Sequence, residues 1–274
     1  MNTILVPTDF SEAAYNAFEY ALQIAQKTKA KIVLLNVYNY PAIPTEAPMV
    51  IPIQDLEKQS LSALEHFADR IRKKNTFDIH IELQCKCGYP VNEIDEFSKK
   101  HHINLIVMGM SGVGFMNEKI IGSTTTSLIR TSKCPILVIE KNTSYKKIKK
   151  MALASDLQTL KNGQILKPIL EMAKLFDSQI QIVHVSKEKE TADFMKNTEA
   201  GKHLDQYFSD IPHSFHNITD EDVTEGMETF IKKNKIDMII TIPRVHSVWN
   251  TLFQEPQTKR MAFHIQTPIL ALHE

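Results

Sequence analysis

The chain has 274 residues, of which 43% are apolar and 23% are charged, and this is an ordinary composition for a globular protein. Its 32 basic and 32 acidic residues leave a formal net charge of zero, so no overall attraction draws the chain to nucleic acid or to an anionic membrane. This length is typical of two domains of ordinary size, and either one could bury an adequate core.

The cysteines and the N-terminus indicate a reducing compartment. Cys85, Cys87 and Cys134 are an odd number and form no disulfide framework. The N-terminus carries no export signal, and no apolar run approaches the length that spans a membrane. The sequence therefore predicts a cytoplasmic protein with neither a membrane nor a nucleic-acid partner. Cys85 and Cys87 continue the alternating apolar positions of a predicted strand, which favours a buried structural role over a metal or redox pair.

Predicted strands and helices alternate from the first residues onward. A strand over 4–6 leads into a helix that Asp9 or Ser11 could cap. The order continues with a strand over 32–38, a helix with an apolar stripe over 61–71, an alternating strand over 79–85, a short helix over 91–97, a strand over 105–108, a helix over 124–131 and a strand over 135–139. Continuously apolar strands separated by helices are typical of a parallel sheet covered on both faces, a doubly wound α/β fold.

The second half repeats this order of elements. The matching segments, with the first copy given first, are 4–10 and 151–157, 32–37 and 180–185, 100–107 and 233–240, and 135–139 and 268–272. The polar, lysine-rich segment 141–150 joins the copies. We therefore predict two domains, over 1–141 and 147–274.

The offset between the copies falls from 147 at the first match to 133 at the last, so the second copy is shorter by 14 residues. We assign the difference to segment 39–54. Its prolines exclude a helix interior or a central strand; they are Pro41, Pro44, Pro48 and Pro52.

The loop after the fourth strand is the part of the sequence most indicative of chemistry. Four of the chain's eight glycines lie between positions 109 and 122. Gly122, Ser123 and Thr124 open a helix, where unpaired N–H groups and the helix dipole attract phosphate. The loop also follows the carboxyl end of a parallel strand, where ligands bind in such sheets. Two common phosphate motifs are absent, because Phe115 and Asn117 stand where GxxxxGK[ST] needs lysine and GxGxxG needs glycine.

The loop matches the pattern G-x2-G-x9-G-[ST] with Gly109, Gly112, Gly122 and Ser123 in register. In this the sequence resembles the universal stress protein family, in its ATP-binding subgroup. The opening ILVPTDFS, Val37 after the second strand and the final CPILVI are similar to that family as well. The resemblance implies two tandem Rossmann-like domains, each a five-stranded parallel sheet with helices on both faces. It also implies bound ATP, whose charge Mg²⁺ could share.

The resemblance implies binding residues in the first copy. Adenine and ribose would lie beside Thr8, Asp9 and Val37, the ribose and phosphates along Met108, Gly109 and Gly112, and the phosphates at Gly122, Ser123 and Thr124. Each of three residues also has a structural alternative to ligand binding: Asp9 could be a helix cap, Val37 a core residue and Met108 a packing residue.

The second copy departs from the pattern at each phosphate position. At the offset of 133 the four motif residues become Ile242, Val245, Glu255 and Pro256. A carboxylate and a residue without an N–H group would then stand where phosphate is expected. We therefore predict that the second domain does not bind ATP in the manner of the family.

Three functions fit these features. The first is an ATP-binding stress-response protein in which the nucleotide controls conformation or the choice of a protein partner. The second is a slow ATPase or phosphotransferase that uses the same cleft. The third is a non-catalytic scaffold for dimerisation or interaction. We favour the first because the sequence places no catalytic set and no metal site around the loop.

The resemblance also implies how the domains pair. Domains of this family pair through their last strands, so 135–139 and 268–272 should meet within the chain. One polypeptide would then imitate a homodimer, and association of two chains remains open.

Overall fold

The computed structural model describes residues 1–39, 53–73, 78–110, 122–160, 163–243 and 266–273. The first half contains β1 (Thr3–Thr8), α1 (Glu12–Thr28), β2 (Lys31–Tyr38), α2 (Ile53–Arg72), β3 (Ile81–Cys87), α3 (Pro90–Lys100), β4 (Leu105–Gly109), α4 (Ser123–Thr131) and β5 (Ile136–Ile139). The second half contains β6 (Lys150–Ala154), a 3₁₀ turn (Gly163–Leu166), α5 (Lys167–Phe176), β7 (Gln179–Ser186), α6 (Ala192–Asn197), α7 (Glu199–Tyr207), β8 (His213–Thr219), α8 (Val223–Asn234), β9 (Met238–Thr241) and β10 (Ile269–Ala271).

All ten described strands form one sheet in the order β3-β2-β1-β4-β5-β10-β9-β6-β7-β8. Neighbouring strands are parallel except at the centre, where β5 and β10 run antiparallel with Leu137 opposite Leu270. The predicted meeting of the last strands of the two copies is therefore confirmed. Because these central strands are covered on both faces, they are apolar throughout and fully buried.

Helices cover both faces of the sheet, which confirms the predicted fold class. On one face the core includes Phe18 of α1, Leu64 of α2 and Met172 of α5. On the other it includes Ile94 of α3 and Met227 of α8. The strands thus present apolar side chains in both directions, as their uninterrupted apolar sequences predict.

The halves share details of backbone conformation as well as element order. Six described residues other than glycine have a positive φ, and they form three pairs at equivalent positions: Phe10 (65°) and Leu157 (56°), Lys29 (59°) and Asp177 (53°), and His102 (49°) and Lys235 (54°). Because such φ values are uncommon outside glycine, their recurrence indicates that the second half keeps the turns of the first.

One side-chain interaction before the fourth strand of each half is also repeated. Asn104 Oδ1 accepts hydrogen bonds from the backbone N–H groups of Asn2 (2.8 Å) and Thr3 (3.0 Å) at the start of β1. Asp237 Oδ2 accepts the equivalent pair at the start of β6, at 2.9 and 3.0 Å. A short oxygen-bearing side chain at this position holds the first strand of each half in register.

The edge strand β3 differs from the sequence prediction in its start and in its burial. The third strand begins at Ile81 rather than at 79 and is only half-buried, because β3 lies at an edge. Cys85 packs against the core, but Cys87 at the end of the strand is exposed, so its predicted buried position is wrong.

Edge strand β8 is held to α6 and α7 through a shared carboxylate. Asp205 Oδ1 lies 3.0 Å from His213 Nε2 and 3.0 Å from Lys196 Nζ. These hydrogen bonds, from His213 first, hold the pKa of Asp205 below its ordinary value.

Among the described helices, none is long and apolar enough to cross a bilayer.

Candidate functional site

A cavity of about 230 Å³ opens at the carboxyl edge of the first half of the sheet. Eight of the nine predicted binding residues line it, namely Thr8, Asp9, Val37, Met108, Gly109, Gly122, Ser123 and Thr124. Gly112, the ninth, lies outside the described residues. The fold thus brings together residues from four separate segments, and their role in binding stays a prediction.

The position of the cavity follows from the strand order. The chain builds β1, β2 and β3 in one direction and then returns to place β4 on the other side of β1. Connections leave β1 and β4 toward opposite faces at this reversal, so a crevice opens beyond their carboxyl ends. Thr8 and Asp9 come from the end of β1, and Met108 and Gly109 come from the end of β4.

Side-chain hydrogen bonds fix the turn after β1. Thr8 Oγ1 accepts from the Phe10 N–H at 3.0 Å, and Asp9 Oδ1 accepts from the Ser11 N–H at 3.1 Å. Ser11 Oγ in turn accepts from the Ala14 N–H at 3.2 Å and caps α1. Ser11 is therefore the cap, and Asp9 orders the turn while its exposed carboxylate remains at the cavity.

A buried polar pair beneath this turn holds its backbone in place. Asn36 Nδ2 donates to the Thr8 carbonyl oxygen at 2.8 Å, and Ser60 Oγ donates to Asn36 Oδ1 at 2.7 Å. All three residues are buried, so each polar group needs this partner. These hydrogen bonds connect α2, β2 and β1, and they hold the backbone of Thr8 in place where it lines the cavity.

The start of α4 forms the polar wall. The Gly122 N–H donates to the Met110 carbonyl oxygen at 2.7 Å, and Thr125 Oγ1 donates to the Gly109 carbonyl oxygen at 3.0 Å. These two bonds anchor the helix start to the end of β4. The N–H groups of the first turn have no carbonyl acceptor within their own helix and can bind an anion.

Gly109 is required by packing against α1. A Cβ atom at this position would lie 2.8 Å from the Ala13 carbonyl carbon and 3.0 Å from Ala13 Cβ. Real Cβ atoms do not approach so closely, so a side chain here would push α1 away from β4. The glycine thus lets α1 start beside the cavity, and this is a reason for it besides ligand access.

Helix ends supply the positive potential of the site. The cavity is lined by residues from the first turns or caps of α1, α3 and α4, and each N-terminus carries a partial positive charge. Asp9 is the one ionisable side chain among the described lining residues. Backbone dipoles rather than lysine or arginine therefore favour an anion in this part of the site.

Sequence reasoning missed the apolar wall. Leu35, Pro90 and Ile94 line the cavity together with Val37 and Met108. Leu35 could have been found, because it lies two residues before Val37 and points to the same face of β2. Pro90 and Ile94 could not, because only the packing of α3 on β2 brings them to the site. The cavity is therefore apolar on the side of β2 and α3 and polar at α4.

The second half keeps the turn and changes what surrounds it. Ser155 Oγ accepts from the Leu157 N–H at 3.1 Å, and Asp156 Oδ1 accepts from the Gln158 N–H at 3.1 Å, as in the first half. Ile242 stands where Gly109 does, and in the described residues between β6 and the 3₁₀ turn at Gly163 there is no helix. Ile242 packs against the core and lines a small cavity on this side of the sheet.

The cavity beside this second turn is small. It measures about 30 Å³ and extends toward α7 rather than α8; its lining includes Ser155, Asp156, Leu160, Ala200, His203, Leu204 and Ile242. This volume holds roughly two water molecules, far less than a nucleotide needs. Val245, Glu255 and Pro256 lie outside the described residues, so the predicted loss of ATP binding in this half stays a prediction.

Fold and site together define a doubly wound α/β protein with an anion-favouring cavity at the switch point of its first half. Residues 1–140, just over half of the chain, match the model of the universal stress protein family. The chain belongs to the universal stress protein family.

Known relatives agree with this assignment. A universal stress protein of Methanocaldococcus jannaschii is 29% identical over 142 residues, which cover 50% of this chain and 81% of the relative. One from Bacillus subtilis is 24% identical over 148 residues, covering 50% of this chain and 98% of the relative. The crystal structure of a universal stress protein from Archaeoglobus fulgidus is 20% identical and has a TM-score of 0.72, covering 100% of this chain and 96% of that one. The last comparison shows that the whole chain has the fold of that structure.

Proposed function

We propose that this chain is a stress-response protein that binds one molecule of ATP in the cavity between β1, β4 and the start of α4. The observation that carries the proposal is the convergence of eight of the nine predicted binding residues, from four segments, on that cavity. Its apolar side suits a flat base, and its polar side is the start of α4, where first-turn N–H groups lack a carbonyl acceptor within their own helix and can bind phosphate. Bound nucleotide would therefore lie with adenine toward Val37 and with its phosphates toward Ser123 and Thr124.

Oxygen donors at the cavity suit a magnesium ion held mainly by the phosphates. The Asp9 carboxylate and the hydroxyl groups of Ser123 and Thr124 are hard oxygen ligands of the kind that Mg²⁺ prefers. The ion would neutralise part of the phosphate charge beside Asp9. Within the described residues, no group of three histidine, cysteine or acidic side chains forms a metal site of its own.

We propose two domains, over 1–141 and 147–274, of which only the first binds ATP. The small cavity and Ile242 in the second half support this asymmetry. Nucleotide in the first domain can influence the second because α4 leads into β5, and β5 pairs with β10. Binding at the start of α4 would thus bias the contact between the domains, and through it the choice of a protein partner. The three free cysteines accord with a reducing, cytoplasmic location.

Isothermal titration calorimetry of the full chain with ATP and Mg²⁺ tests the proposal. We expect about one site per chain. Two equal sites would contradict the asymmetry of the domains, and no binding would contradict the proposal as a whole. Mass spectrometry of nucleotide that remains bound during purification gives an independent measurement.

The assay for an enzymatic alternative is phosphate release. Besides Asp9, no described lining residue carries a side chain of the kind that usually acts as a general acid or base. We therefore expect ATP to stay intact in the complex. Steady phosphate release that Asp9→Ala abolishes would instead establish the slow ATPase.

A further inference from the structure

An exposed tyrosine stands at the rim of the cavity. Tyr89 is 76% exposed, and with Phe194 it is one of two large apolar side chains that stand exposed in the described part of the chain. It directly precedes Pro90, which lines the cavity, and Ile94 lines the cavity one turn further along α3. Tyr89 is therefore an exposed aromatic residue directly next in sequence to the apolar wall.

Helix capping does not explain a tyrosine at this position. Tyr89 is the N-cap of α3 and makes no side-chain hydrogen bond to the helix. At the equivalent position of the second half, Asp222 caps α8 by accepting from the N–H groups of Thr224 (2.7 Å) and Glu225 (3.2 Å). Aspartate ranks among the best N-cap residues, whereas large apolar residues rank among the poorest. The half that has the larger of the two cavities thus carries the locally unfavourable residue, as is common at functional sites.

The backbone that carries Tyr89 is held in place. The Gly88 N–H donates to the Tyr38 carbonyl oxygen at 3.0 Å, which joins the segment to the end of β2. Gly88 has a φ of 156°, and a Cβ atom there would lie 2.5 Å from Glu93 Oε1. Pro90 fixes its own φ and restricts the residue before it to extended conformations. The backbone at Tyr89 is therefore held in place next to the cavity, while its side chain is exposed to solvent.

We propose that Tyr89 is a positioning residue that turns over the cavity and stacks on the base of the bound nucleotide. This inference rests on the proposed function and assigns the outer face of the base site. Leu35, Val37 and Ile94 offer the base an apolar wall on the inner side, and an aromatic ring on the outer side would complete a sandwich. The interaction depends on the flat ring of the base and not on the phosphate charge.

The test compares three substitutions at one position by calorimetry with ATP. Tyr89→Phe keeps the ring and should bind within about twofold of the unchanged protein. Tyr89→Ala removes it and should weaken binding by roughly tenfold, a typical loss for one base–aromatic stack. Tyr89→Asp installs the cap found in the second half, so it should weaken binding while leaving the melting temperature unchanged or raised. Phe194→Ala, which removes the other exposed aromatic ring, is the matched control and should leave affinity unchanged.

Sodium tripolyphosphate, used as a competitor of ATP, distinguishes an effect on binding of the base from an effect on binding of the phosphates. Its inhibition constant should stay within about twofold between the unchanged protein and Tyr89→Ala. Equal ATP affinity for these two proteins would overturn the inference, as would a loss in Tyr89→Phe as large as that in Tyr89→Ala. A parallel tenfold loss for tripolyphosphate would also overturn it, since the substitution would then act at the phosphates. If the unchanged protein binds no ATP, it is the proposed function that fails.

Discussion

Replacing Ser123 by glutamate separates the stability of α4 from its capacity to bind phosphate. Ser123 is the first residue of the helix, and its side chain is exposed, so the longer side chain needs no repacking. A carboxylate in the first turn interacts favourably with the helix dipole, by about 0.3–1 kcal/mol. The folded protein should therefore be as stable as before or slightly more stable, with a melting temperature higher by up to about 4 °C.

The same carboxylate should repel the phosphates of ATP. Like charges about 4 Å apart repel by about 1 kcal/mol in bulk water and by about 4 kcal/mol near a protein surface. Because about 1.4 kcal/mol corresponds to tenfold in affinity, Ser123→Glu should weaken ATP binding by between about fivefold and several hundredfold. The loss should shrink as salt is raised toward 1 M, where the Debye length falls to about 3 Å.

Calorimetry and thermal unfolding, carried out on the same samples, give both quantities. Ser123→Gln is the matched control because it has nearly the same size and no charge, and we expect it to bind ATP within about threefold of the unchanged protein. If Ser123→Glu binds ATP normally, the phosphates do not lie at the start of α4. If Ser123→Gln loses as much affinity as Ser123→Glu, bulk rather than charge is responsible and the electrostatic reasoning is wrong.

Three further predictions concern stability and reactivity. Gly109→Val should destabilise the protein by about 1–3 kcal/mol, because its Cβ would lie 2.8 Å from the Ala13 carbonyl carbon; an unchanged urea midpoint would contradict this packing. Burial raises the pKa of the Cys134 thiol to about 12, so mass spectrometry after iodoacetamide treatment at pH 8 should find Cys87 alkylated first, and equal rates would show that Cys134 is not protected. Because the pKa of Asp205 is lowered in the folded protein, its contribution to the free energy of unfolding is present above about pH 4 and is lost as pH falls through the folded pKa. Asp205→Asn should lower the free energy of unfolding by at most about 1 kcal/mol at pH 7. If urea unfolding still shows this difference in stability at pH 2, the ionised carboxylate of Asp205 is not its source.

Much of the fold could be predicted because alternating strands and helices leave a strong periodic signal. The prediction of the edge strand β3 was the least accurate. Because β3 (Ile81–Cys87) is only half-buried, its alternating apolar residues do not reliably identify a buried face. Conversely, Pro90 signals that a helix starts there, but nothing in the sequence shows that the Tyr89 side chain is exposed next to the cavity. An exposed aromatic residue is recognisable as unusual only when its surroundings and its counterpart Asp222 are known.

The sequence by itself determined the doubly wound repeats and the residues of the glycine pattern, whereas the pairing of the last strands was implied only by the family resemblance. It could do so because apolar periodicity and a family-like motif are local properties, carried by segments of ten to twenty residues. Only the tertiary structure decided that eight of the nine predicted binding residues share one cavity, and that Leu35, Pro90 and Ile94 complete its apolar wall. It also decided why Gly109 must lack a side chain, since α1 packs against it from a distant part of the sequence. Such contacts depend on how helices pack across strands, and no spacing within one segment records that packing.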